Sequence, residues 1–240
     1  AAGVSFAVHE NLRGFSTNGG LDRDHIVHRS AYVKSLQLAE QEPEFTDYHV
    51  IQQYNQTQSI NQYLTHWFYP YKGKFHPQMI RALLNILGLR PGQTVLDPFV
   101  GSGTTTVEAQ LLGINCIGLD VSPLCVLQSK VKAESVLAYD DILKASREIV
   151  KAIGPSPGDR QIQATVEAID SMDEGPVRNF YEMVDLVSIS DHARRRRDLG
   201  SSFVKNLERM LASVSDYRTV AESLGLRLGD VKIALGDARS

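Results

Sequence analysis

The chain is predicted to be an α/β protein in which a parallel sheet is interrupted by a long helical insertion. Three observations carry that expectation. Two short apolar runs, Thr94-Val95-Leu96-Asp97 and Ile114 to Asp120, each read as a buried strand closing on a carboxylate. Between them lie a glycine turn, Gly101-Ser102-Gly103, and a helix expected over Thr104 to Leu112 with its C-cap at Gly113. Strand, turn, helix, strand is one unit of a parallel sheet. A third strand-like run, Val231 to Leu235, ends at Gly236-Asp237 and lies beyond a mostly helical stretch.

Taken in order, residues 1–62 are polar and weakly patterned and read as an N-terminal arm, with a short helix expected near Ala31 to Gln41. The α/β part is expected to begin near residue 63 and run to 132. It opens with an aromatic cluster, Trp67, Phe68, Tyr69, Tyr71 and Phe75, around Pro70 and Pro77, which favours an extended segment. After Pro77, the spacing of Met79, Ile80, Leu83, Leu84 and Leu87 predicts a helix stopped by Gly88. Residues 133–229 form the insertion. Ile142, Ile149 and Ile153 mark one amphipathic helix, Gly154-Pro155-Ser156-Pro157-Gly158 a break, and Phe203, Leu207, Met210, Leu211 and Val214 a long later helix. Residues 230–240 return to the sheet as its third strand.

A chain of 240 residues with 42% hydrophobic and 22% charged residues has the composition of an ordinary globular protein. It has no apolar run of membrane-spanning length, and Ala1 to Glu10 lack a signal-peptide pattern. The two cysteines, Cys116 and Cys125, stand in no metal-ligand spacing, so no metal is expected, and reduced thiols in the cytoplasm are the simplest reading. The net charge of −3 is not that of a protein wrapped around nucleic acid, although basic residues are concentrated at Arg194-Arg195-Arg196-Arg197. That cluster is read either as a solvated surface or as a phosphate contact.

A glycine turn between strand and helix lets a ligand approach the backbone beside a positive helix N-terminus. The phosphate-cradling P-loop needs a Gly-Lys-Ser/Thr end, and no lysine follows here. The dinucleotide fingerprint needs a third glycine where this chain has Thr106, and Asp97 before the turn would repel a pyrophosphate. S-adenosylmethionine poses the opposite electrostatic problem, since it carries an ammonium and a sulfonium and no phosphate. Asp97 suits the ammonium, Asp120 the two ribose hydroxyls, and Asp237 the adenine amino group. Three acids at three strand ends would line the sheet edge where open α/β folds bind ligands.

The run Asp97-Pro98-Phe99-Val100-Gly101-Ser102-Gly103-Thr104-Thr105 resembles the cofactor motif of the N4-cytosine/N6-adenine DNA methyltransferase family. The likeness continues through Glu108-Ala109 and into Gly118-Leu119-Asp120-Val121-Ser122-Pro123, and Gly236-Asp237-Ala238 is similar to the third motif. Upstream, Tyr69-Pro70-Tyr71-Lys72-Gly73-Lys74-Phe75 resembles the segment that closes over the methionine end. The resemblance spans about residues 66–132 and the last ten.

It implies a partial Rossmann-like S-adenosylmethionine-dependent methyltransferase sheet with a large helical insertion. The implied cofactor contacts are Tyr71, Lys74 and Phe75, then Asp97, Phe99, Gly101, Ser102, Gly103, Thr104 and Thr105, then Asp120 and Val121, and finally Asp237 and Ala238. The expected partner is DNA, with RNA as the alternative, because tRNA guanine-N2 methyltransferases use similar elements. The family's catalytic tetrapeptide, Asp/Asn/Ser-Pro-Pro-Tyr or a close variant, does not occur in these residues. The chain is therefore expected to be a fragment that holds the methyl donor without a catalytic residue of its own. A non-catalytic cofactor- or nucleic-acid-binding module is the reading from another class. The insertion is read either as a target-recognition element or as a brace for the sheet.

Overall fold

A computed structural model describes residues 6–9, 14–57, 59–153 and 159–239. The N-terminal region is more structured than its polar sequence predicts. It holds two small antiparallel hairpins, β1 (Phe6–Val8) with β2 (Phe15–Thr17), and β3 (Ser35–Leu36) with β4 (Glu44–Phe45). Helix α1 (Arg23–Arg29) lies between the hairpins, and α2 (Asp47–Gln53) follows β4. The helix expected near Ala31 to Gln41 is thus displaced, and β3 occupies part of that span. The signals that decide this are caps. Asp22 accepts the His25 N–H and Thr46 accepts the His49 N–H, each satisfying a donor that a helix start leaves free.

The central unit forms over the expected residues, but its first strand, 94–97, is not buried as expected: it is an edge strand, and Leu96 is 58% exposed. Helix α3 (Pro77–Ile86) starts on Pro77, whose missing N–H is harmless in a first turn, and Gly88 follows it at φ +70°. It buries Ile80 and Leu84 and leaves Met79 and Leu83 exposed. Strand β5 (Thr94–Asp97), α4 (Thr104–Leu111) and β6 (Asn115–Asp120) complete the unit. Helix α5 (Pro123–Glu134) is capped by Ser122.

Among its described residues the insertion holds four helices: α6 (Tyr139–Ile153), α7 (Asp159–Asp170), α8 (Pro176–Arg195) and α9 (Leu199–Ser223). The expected Gly-Pro break, 154–158, falls outside the described residues. Strand β7 (Val231–Leu235) then pairs in parallel with β6, giving the order β5-β6-β7.

The cores explain how insertion and sheet are joined. Ile142, Ile149, Phe180, Met183, Phe203, Leu207 and Met210 pack in one apolar cluster, and Trp67 and Phe68 are part of it. The aromatic segment before α3 is therefore anchored in the insertion. A second cluster joins Tyr63 and Leu64 to Val107 and Leu111 of α4 and to Tyr217 and Val220 of α9. Ile80, Leu84, Ala109, Leu112, Ile114 and Cys116 fill the space between α3, α4 and the sheet. Among the described residues no helix is long and apolar enough to cross a membrane.

Candidate cofactor site at the strand ends

Parallel pairing in register brings the three acids to one edge. Asp97 closes β5, Asp120 closes β6, and Asp237 lies two residues past β7, whose Leu235 is opposite Asp120. The ladder continues briefly into the turn, where the Val100 N–H donates to the Leu119 carbonyl at 2.9 Å. Gly118 makes that approach available, because a Cβ there would stand 2.8 Å from Val100 Cγ2.

The turn is shaped from below. Gly101 and Gly103 sit at φ +51° and +79°, in the left-handed region that favours glycine. Ser129 Oγ donates to the Gly101 carbonyl at 2.9 Å, and Lys132 Nζ donates to the Ser102 carbonyl at 2.7 Å. Both donors are on α5. Lys132 is wholly buried, and burial pushes its ammonium well below the usual lysine range. Neither residue was singled out from sequence, because a serine and a lysine inside a helix carry no motif.

Asp120 is oriented by two backbone donors. Its Oδ2 accepts the Gly101 N–H and its Oδ1 the Ser122 N–H, both at 2.9 Å. A carboxylate has about four lone-pair sites, so each oxygen keeps capacity for a further donor. Asp97 accepts the Phe99 N–H at 3.1 Å. Asp237 pairs with the exposed Arg239 guanidinium at 2.6 Å, and that hydrogen bond holds its carboxyl below the usual range.

The remaining expected contacts divide into two sets. Phe99, Val121 and Ala238 are exposed beside the acids, and Phe75 and Tyr71 are exposed on the upstream segment. Tyr71 reaches the turn. Its ring lies 3.6 Å from where a Gly101 Cβ would stand, and a hydrogen bond with the Cys125 thiol raises its phenol pKa. Ser102 and Thr104 are instead buried, and Ser102 Oγ has no partner. Lys74 turns inward, donating to the His66 carbonyl at 3.0 Å, and burial lowers its pKa to about 8.

The upstream segment is fixed to α4 by a buried network. Glu108 Oε1 accepts from Tyr63 Oη at 2.7 Å and lies 2.9 Å from His66 Nε2, while Oε2 accepts Arg81 Nε at 2.8 Å. Burial alone would raise the Glu108 pKa, but Arg81, His66 and Tyr63 outweigh it and hold the carboxyl at about 2. Burial lowers His66 to about 4 despite its Glu108 partner.

This donor set fits S-adenosylmethionine. Two carboxylates with spare lone pairs stand beside exposed apolar side chains, and the Tyr71 ring lies over the turn between them at Gly101. Such a site accepts a cationic, hydroxyl-bearing ligand with an apolar ring and repels a pyrophosphate.

Known proteins bear the same signature. The family model described as DNA methylase matches residues 16–130, so the likeness begins well inside the arm rather than near residue 66. The Type II methyltransferase M.MjaII of Methanocaldococcus jannaschii is 35% identical over 111 residues, which are 42% of this chain and 20% of that protein. M.BsoBI of Geobacillus stearothermophilus is 38% identical over 91 residues, 38% of this chain and 17% of that protein. A tRNA (guanine(10)-N2)-dimethyltransferase of Methanothermobacter thermautotrophicus is 38% identical over 55 residues, 23% of this chain and 16% of that enzyme. The chain thus spans about a fifth or less of these relatives. Fold, turn and matches place it in the Rossmann-like methyltransferase class, whose cofactor is S-adenosylmethionine. Within that class, residues 16–130 match the DNA methylase family model and are similar to parts of the Type II methyltransferases.

Proposed function

We propose that this chain is the cofactor-binding portion of a cytoplasmic enzyme that methylates an exocyclic amino group of DNA, N4 of cytosine or N6 of adenine. The observation that carries the reading is the Asp120 carboxylate, held by the Gly101 and Ser122 N–H groups beside the glycine turn. Bound S-adenosylmethionine would supply an electrophilic methyl group on a sulfonium. In this reading Asp120 accepts the ribose hydroxyls, Asp97 receives the ammonium, and Asp237 exchanges Arg239 for the adenine amino group. Val121 and Phe99 flank the adenine, while Tyr71 and Phe75 exclude water from the methionine end. Ser102, Thr104, Thr105 and Gly103 act by shaping the turn and the start of α4. Residues 63–132 and 230–240 carry the site, and 1–62 and 133–229 are accessory units.

Ultraviolet crosslinking with tritiated S-adenosylmethionine tests this reading. Label is expected in the peptide holding the turn, displaced by S-adenosylhomocysteine and not by NADH. Displacement by NADH alone would refute it. Transfer to tRNA guanine N2 is the second reading, favoured by the tRNA dimethyltransferase likeness, and modification mapping of DNA and tRNA separates the two.

A further inference from the structure

A second charged feature lies next to the turn and is not used by the cofactor reading. An open cleft of about 630 Å³ runs between the aromatic segment before α3 and helices α8 and α9. Lys72, Arg194, Arg195 and Arg209 line it, with Lys74 at one wall and Asp191 as the acid among them. Arg194 and Arg195 each approach Asp191 only at 3.7 Å and are half exposed. Arg209 stacks on Trp67, its Cζ 4.3 Å from the ring centroid; burial lowers its pKa, Asp191 opposes that, and Arg195 and Arg197 nearby add to it. Such cations repel one another, and in a chain of net charge −3 they are gathered where one acid cannot balance them.

The cleft also leads to the methyl-donor site. Tyr71 lines it and is the same side chain whose ring lies against Gly101. Tyr71 therefore touches both the cofactor turn and the cationic cleft.

We propose that this cleft between α8, α9 and the Trp67–Lys74 segment seats the phosphodiester backbone of DNA and delivers it to the edge of the cofactor site. The inference rests on the reading of the chain as part of a DNA methyltransferase, and it assigns the helical insertion a substrate-holding role. The arginine cluster at the α8 terminus contacts phosphates, positioning the strand without reading its bases.

Fluorescence anisotropy with labelled duplex DNA, titrated in salt from about 50 to 200 mM, tests the proposal. Arg194→Ala/Arg195→Ala removes two candidate phosphate contacts and should reduce the log–log salt slope by about 1.8. Lys144→Ala/Arg147→Ala removes the same charge from the exposed face of α6 and should leave the slope unchanged. Equal slopes for the cleft variant and wild type overturn the proposal, as does an equal drop in the α6 control. Tighter cleft-dependent binding of a hairpin RNA of equal length overturns the assignment to DNA. Calorimetry of the same proteins with S-adenosylmethionine keeps the two readings apart. The cleft variant should bind the cofactor as wild type does, and cofactor binding with an unchanged salt slope would reject the cleft alone.

Discussion

Lys132 Nζ, wholly buried in α5, donates to the carbonyl of Ser102 at 2.7 Å and so ties the glycine turn to the helix beneath it. Ser129 makes the parallel bond to Gly101, one helical turn earlier. The turn is thus held by side chains from below, and the Tyr71 ring lies over it at Gly101.

Lys132→Met should separate stability from binding. Burial disfavours the ammonium, so an apolar side chain of similar length should leave the melting temperature near wild type. The untied turn should then bind S-adenosylmethionine about tenfold more weakly, roughly 1.4 kcal/mol. Thermal denaturation and calorimetry on one preparation check this, and unchanged affinity would show that the tie does not shape the site.

The two turn glycines should behave differently. A Cβ at Gly103 would stand 2.8 Å from Ser129 Cα, backbone that cannot swing aside, so Gly103→Ala should destabilise the fold by about 2–4 kcal/mol. At Gly101 the nearest atom is the Tyr71 ring at 3.6 Å, an ordinary contact, leaving mainly the φ strain of roughly 1–2 kcal/mol. Gly101→Ala is therefore expected to fold and to lose cofactor affinity. Chemical denaturation of both variants decides it, and equal stabilities would contradict the packing argument.

Acid should weaken the fold in two overlapping windows. His66 is depressed to about 4, so below its ordinary value the unfolded chain takes up a proton that the folded chain resists. Stability contributed by its neutral form is lost as pH falls from about 6.5 to 4. Glu108 is held at about 2, and the stability of its ionised form is lost from its ordinary value near 4.5 down to 2. His66→Gln should flatten the upper window and leave the lower one. Denaturation midpoints across this range give the slopes, and an unaltered upper slope would place the proton uptake elsewhere.

The placement of the candidate site was legible where chemistry and periodicity coincide in a short stretch. Asp97, Gly101, Gly103 and Asp120 lie in one strand-turn-helix-strand unit, so local sequence placed them, and β5 and β7 form over the expected residues. Long-range packing was not legible. Trp67 and Phe68 read as part of one aromatic segment with Tyr71 and Phe75, yet the insertion buries the first pair and leaves the second exposed. Lys74 shares the segment's motif, but its inward turn depends on the His66 carbonyl. The arm's two helices were not legible, and the one expected helix was misplaced, because their caps, Asp22 and Thr46, are single polar residues without strong apolar periodicity behind them.

The central claim is that the strand-end acids, Asp120 foremost, hold S-adenosylmethionine. Calorimetric titration of wild type and Asp120→Ala with this ligand tests it most directly, with circular dichroism confirming that the variant is folded. Asp120→Ala removes up to two charge-assisted hydrogen bonds to the ligand, roughly 1.5–3 kcal/mol each, and also frees the Gly101 and Ser122 N–H groups. With water partly replacing those bonds, affinity should fall by about thirty- to thousandfold. A folded variant that binds S-adenosylmethionine as tightly as wild type would contradict the assignment.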